Sequence, residues 1–224
     1  MTVTTPNTDL DIQSAALKEL AWDPRVNSTG ISVQVKNGIV ALSGSVDTYA
    51  QQVAACEAVR HIAGVLDVDD DLEVRIPGQP KSDQEIAQAV RNALLWDVYV
   101  PEKRIASTVS DGWVTLEGDV DFWHQHEDAL RAVERLSGVR GITNRVVVKS
   151  QTVDSAKTRK SIEDALMRRV GREREPIKID VEDGVVTLTG EVPSWSAKSA
   201  IDRVAAYSPG VKRIVNQIVI RPHS

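Results

Sequence analysis

The chain repeats itself. Lys36-Asn37-Gly38-Ile39-Val40-Ala41-Leu42-Ser43-Gly44-Ser45-Val46 returns as Ser110-Asp111-Gly112-Trp113-Val114-Thr115-Leu116-Glu117-Gly118-Asp119-Val120. It returns again as Glu182-Asp183-Gly184-Val185-Val186-Thr187-Leu188-Thr189-Gly190-Glu191-Val192. The second glycines, Gly44, Gly118 and Gly190, lie 74 and then 72 residues apart. Another glycine, followed by valine, comes twenty residues after each of them, at Gly64, Gly138 and Gly210. Three copies that hold this interval without an insertion define a structural unit of about seventy residues, and the fold must be that unit built three times.

Each copy spells the same elements. Ahead of the glycines Ile31, Val33 and Val35 alternate, as do Ile105, Ser107, Val109 and Ile177, Ile179, Val181. That is the period-two pattern of a half-buried strand, with Ser107 its weakest member. Asn37-Gly38, Asp111-Gly112 and Asp183-Gly184 tolerate positive φ and predict a tight hairpin. The strand that follows puts Val40 and Leu42, Val114 and Leu116, Val186 and Leu188 on one face. A helix comes next, with Asp47, Asp121 and Ser194 as the expected caps. Its core stripe reads Ala55, Ala58, Val59, Ile62 in the first copy, Ala129, Ala132, Val133, Leu136 in the second, and Ile201, Val204, Ala205, Ser208 in the third. Gly64, Gly138 and Gly210 suit the turn ending that helix. Last strands are expected over 65–74, 139–148 and 211–220, and opening amphipathic helices over 9–21, 83–96 and 155–170.

The expected class is therefore α+β: three tandem α-β-β-α-β modules, each a three-stranded mixed sheet packed against two helices. Such a module is small for an independent core, and the joints at 77–80 and 150–153 are short, so neighbouring modules should touch.

With Gly-x-Val-x-Leu-x-Gly in the second strand and Gly-Val opening the third, the chain resembles the BON domain family (bacterial OsmY and nodulation). The resemblance covers residues 8–76, 82–149 and 154–221. Gly112–Gly118 and Gly184–Gly190 carry its central signature, as do Gly138-Val139 with Asn144 and Gly210-Val211 with Asn216. The first copy departs, with Asp70 in place of the asparagine. The resemblance implies a non-catalytic module tied to the bacterial envelope and osmotic stress, binding anionic phospholipid or membrane-associated partners. It also makes Gly38, Gly44, Gly64, Gly112, Gly118, Gly138, Gly184, Gly190 and Gly210 the structural signature of the repeat.

Composition removes several classes. At 42% hydrophobic, 26% charged and net charge -5, the chain is neither disordered nor fibrous. Nothing approaches the run of about 18 apolar residues that a membrane span needs. The start lacks a signal-peptide pattern, so a cytoplasmic protein is expected, or a periplasmic one if this is a trimmed mature form. Cys56 is the single cysteine and reads as a buried thiol on a helix. His124 and His126 point about 200° apart on a helix and cannot share one ion. No nucleophilic triad, glycine-rich phosphate loop or cofactor motif is present, so neither an enzyme nor a cofactor is expected. Asp67, Asp69, Asp70 and Asp71 read as a charged guard on a strand edge.

Two features point to partners. Aromatics recur at Tyr49, Trp123 and Trp195 in the first turn of the second helix, and at Trp22 and Trp96 where the first helix ends, with Arg168 in the third copy. They read either as core-edge or module-packing residues, or as amphipathic anchors on a membrane or partner surface. Charge is the second feature: residues 1–80 carry net -6, residues 81–150 net -2 and residues 151–224 net +3. Lys157, Arg159, Lys160, Arg168, Arg169 and Arg172, with Arg174 beyond them, are the candidate contact for phospholipid head groups or a protein partner. An acidic chain with no aromatic-basic sheet face is a poor nucleic-acid binder. The alternatives are a structural protein, in which the charge gradient drives head-to-tail homo-oligomers, and small-ion sensing through backbone carbonyls.

Overall fold

The computed structural model describes residues 8–79, 81–149, 154–170 and 177–221. The first copy runs α1 (Asp9–Trp22), β1 (Ile31–Lys36), β2 (Ile39–Val46), α2 (Tyr49–Arg60) and β3 (Asp67–Val74). The second runs α3 (Asp83–Trp96), β4 (Ile105–Ser110), β5 (Trp113–Val120), α4 (Trp123–Glu134) and β6 (Gly141–Val148). The third runs α5 (Ser155–Val170), β7 (Lys178–Glu182), β8 (Val185–Val192), α6 (Trp195–Ala206) and β9 (Arg213–Ile220). Each copy forms its own three-stranded sheet with the second strand in the middle. In the first two copies that strand pairs antiparallel with the strand before it and parallel with the one after, so the sheets are mixed.

The registers follow from the hairpins. Val35 pairs with Val40 and Val33 with Leu42, which brings the alternating apolar residues onto one face. Asn37, Asp111 and Asp183 take positive φ of 52°, 51° and 48°, as the tight turn demands. The buried face of the first sheet meets Ile12, Ala16 and Leu20 of α1 and Ala55, Ala58 and Val59 of α2. Val114 and Leu116, and Val186 and Leu188, are equally buried in their copies.

At Gly44 and Gly118 a side chain is excluded twice over. The backbone stands at φ 116° and 143°, and a Cβ would collide with the carbonyl oxygens of Gly30 and Arg104. The middle strand can therefore lie this close to the start of the first strand only without a side chain.

Two expectations are corrected. The second helices are not capped by Asp47 and Asp121. A cap must immediately precede the helix for its oxygen to reach the third helical N–H, and both aspartates stand one residue too early. Thr48 caps α2, its hydroxyl accepting from Gln51 N at 3.2 Å. Ahead of α4 stands Phe122, and the Gln125 side chain instead accepts from Asp121 N and Phe122 N at 3.0 and 3.2 Å. Ser194 does cap α6, accepting from Ala197 N at 3.3 Å. The last strands begin two residues later than expected. Val65 N and Val139 N still close the preceding turn on Ile62 O and Leu136 O.

By compactness the chain divides into two units. One is the described part of residues 1–78 together with 192–198 and 219–221; the other is the remaining described residues.

Candidate functional site: an aromatic tip and a basic helix

The asparagine of the third strand is a connector. Asn144 Oδ1 accepts from Val146 N at 3.1 Å, and its amide donates to the His126 carbonyl on α4 at 3.0 Å. Asn216 accepts likewise from Ile218 N at 3.1 Å and donates to Asp202 on α6 at 3.1 Å. Asp70 accepts from Leu72 N at 3.2 Å but has no proton to donate; Gln52 on α2 donates to it instead, at 2.9 Å. The helix-to-strand tie survives with its polarity reversed. Burial, with Asp70 alongside, pushes the Cys56 thiol up to about 12, so the buried cysteine is held protonated rather than as a nucleophilic thiolate.

The candidate basic residues lie on α5 or beyond it. Lys157, Arg159, Lys160 and Arg168 are exposed. The side chain of Arg169, and all of Arg172 and Arg174, lie outside the described residues. Arg159 is drawn to Asp180 of β7 at 2.8 Å, and Lys157 stands 3.8 Å from Asp154. At 100° per residue, Lys157, Lys160, Asp164 and Arg168 share an arc of about 80° on the side away from buried Thr158 and Ile162, with exposed Met167 at its edge. Arg159 falls outside that arc. The structure thus divides the predicted basic set, leaving a narrower outward face.

The aromatics divide too. Tyr49, Trp123 and Trp195 are half-buried. Trp195 packs against the core of the first copy within the same compact unit. Arg60 lies over its ring at 5.5 Å and Lys198 at 5.0 Å. Trp123 stacks on His126 at 4.5 Å. Trp22 and Trp96, by contrast, are 76% and 83% exposed. Trp96 opens a run in which Val98 and Tyr99 are also 88% and 65% exposed, and Leu95 before it is 61% exposed. Tyr99 N donates to the Asp97 carboxylate at 2.9 Å, which holds the tip in a turn. Only Leu94 and Val100, at the two ends of Leu94-Leu95-Trp96-Asp97-Val98-Tyr99-Val100, enter the core. The recurrence of aromatics in the sequence singles out Trp96 and misses its companions. The available signal was the length of this apolar run, longer than one buried helix face uses.

Among the described residues no group of three or more His, Cys, Asp or Glu side chains is gathered for a metal. His124 and His126 do part company, one stacking on Tyr207 and the other on Trp123. No described helix is long and apolar enough to cross a membrane.

The model of the BON domain matches residues 8–76, 82–150 and 154–222. The chain belongs to the BON domain family. Among curated proteins it is similar to osmotically-inducible protein Y of Escherichia coli (strain K12), 32% identical over 124 residues. That alignment takes in 53% of this BON chain and 62% of the relative's own length. Among solved structures it matches CdsD, a structural protein of the type III secretion system of Chlamydia trachomatis, at 14% identity over 96% of this chain and 94% of that one. At a TM-score of 0.28 the two chains do not superpose as wholes. Within the family frame the signature glycines and Asn144 and Asn216 are taken up by turns, close backbone approach and strand ties. What the frame leaves unused is the exposed tip and the outward face of α5.

Proposed function

We propose that this BON protein is a non-catalytic, osmotic- or envelope-stress type binding protein that engages anionic phospholipid surfaces through the Trp96 tip and the basic face of α5. The exposed tip carries this reading: four large apolar side chains in five residues stand in solvent, two of them Trp and Tyr, whose amphipathic rings favour the membrane–water boundary. Similarity to an osmotically inducible protein supports the stress context.

Magnitudes rank the two contacts. Each basic side chain near an anionic bilayer contributes about 1 kcal/mol, so Lys157, Lys160 and Arg168 together supply about 3 kcal/mol. That is weaker than millimolar binding. Burying half of one Trp side chain contributes roughly 2–3 kcal/mol at about 25 cal/mol per Å², and Tyr99, Leu95 and Val98 stand ready to add to it. The aromatic tip therefore contributes more of the affinity, and the basic face selects the lipid charge.

Co-sedimentation with vesicles of neutral or mixed neutral and anionic lipid tests this. Binding should be tighter to anionic vesicles than to neutral ones, and that difference should shrink with salt. Trp96→Ala with Tyr99→Ala should lower it more than Lys160→Ala with Arg168→Ala. Absence of binding to every vesicle would overturn the lipid reading and turn attention to self-association and protein partners.

A further inference from the structure

We propose that His124 is a pH-responsive clasp between the second and third copies, its imidazole held between the rings of Phe122 and Tyr207 and gripping them more firmly when protonated. Phe122, ahead of α4, stacks on the imidazole at 5.5 Å and 18°. Tyr207, just past α6 and in the same compact unit, stacks on it at 5.2 Å and 7°. A neutral imidazole makes only a stacking contact with such rings, whereas an imidazolium adds cation–π attraction. Histidine is the side chain whose charge changes near neutral pH.

The charged surroundings are specific. On α4, Asp128 lies one turn beyond His124 and interacts with it, and burial holds that carboxyl above its ordinary value. Arg131 pairs with Asp128 at 3.4 Å, and Asp97, from the end of α3, also acts on it. Glu127 takes His126 at 3.3 Å. Beside Phe122, Asp121 is held by Arg104 at 2.8 Å. From the end of α6 comes the Tyr207 ring itself, and Arg203, one turn earlier, is exposed. The other copies have Ala50 and Ser196 where His124 stands, and Thr48 and Ser194 where Phe122 stands. The imidazole–aromatic pair therefore belongs to the second copy alone and is not a requirement of the fold.

Denaturation of the full chain at pH 8 and pH 5.5 tests the clasp, with His124→Phe keeping a ring but no charge. On acidification the wild type should gain about two- to fivefold in its folding equilibrium relative to His124→Phe. Tyr207→Leu should reduce that gain to the share that Phe122 supplies. Equal pH dependence in wild type and His124→Phe overturns the proposal, and so does an undiminished gain in Tyr207→Leu, since Asp128 would then account for it. Should either variant fold poorly, NMR of the wild type decides: Tyr207 ring signals that do not move between pH 8 and 5.5 overturn the clasp.

Discussion

Asn144 and Asp70 occupy equivalent places and solve one problem from opposite ends. Each must satisfy a strand N–H and tie the strand to the second helix; Asn144 gives the proton to a backbone carbonyl, whereas Asp70 takes one from the Gln52 side chain. Asp70→Asn should change stability by less than about 0.5 kcal/mol, because an amide can replace the carboxylate as acceptor or donate as Asn144 does. Asn144→Asp should cost about 1–3 kcal/mol, because the His126 carbonyl loses its donor and faces a carboxylate instead. Urea denaturation of both variants checks the asymmetry. Gly118→Ala should be more damaging than either, at least about 3 kcal/mol, since positive φ and a blocked Cβ add. Wild-type stability in that variant would refute the close-approach account.

The first helices are fastened at their N-termini in a way no local pattern announces. The Asp9 carboxylate accepts from Asn37 N and Gly38 N at 2.8 and 2.9 Å, and Asp83 from Asp111 N and Gly112 N at 2.9 Å each. Two successive N–H groups of a positive-φ turn make a small anion nest, and the helix carboxylate fills it. Ser155 stands at the corresponding place in the third copy. Asp83→Ala should cost about 1.5 kcal/mol and speed hydrogen exchange at Gly112, while Ser155→Ala should cost less. The caps bring acid sensitivity. Hydrogen bonds from Thr8 hold the Asp11 carboxyl below its ordinary 3.8, and hydrogen bonds from Ser82 hold Glu85 below 4.5. A lowered carboxyl contributes stability above its unfolded value and loses it as pH falls through the folded one. Circular dichroism should therefore show helix loss as pH drops below about 4.5, and Glu85→Gln should flatten the part belonging to α3.

In the whole molecule, Trp195 joins sequence-distant parts: it comes from the third copy and packs on the core of the first. Its indole N–H is shielded from solvent with no hydrogen-bond partner among the described residues, so packing and the cations Arg60 and Lys198 must hold it. Trp195→Ala should cost about 2 kcal/mol, below the 3–5 of a fully buried aromatic, and loosen α2 in the first copy as read by hydrogen exchange. The repeat, the hairpins, the helix stripes and most element bounds were legible because each depends on residues a few positions apart: a positive-φ pair, an alternation, an i, i+4 spacing. The family signature was legible for the same reason. The cap positions were nearly so, missed by one residue because Asp47 and Asp121 are good capping residues in the wrong place. Which aromatics would be covered was not legible. Trp22, Trp96 and Trp195 are equally apolar in sequence, and only the tertiary structure decided that the first two face solvent while the third is packed. Nor could the charge run on α5 reveal that Arg159 would turn to Asp180. Sequence by itself determined three α+β modules and their signature; exposure and pairing were settled by contacts between residues far apart in the chain, where the chain's own periodicity carries no information.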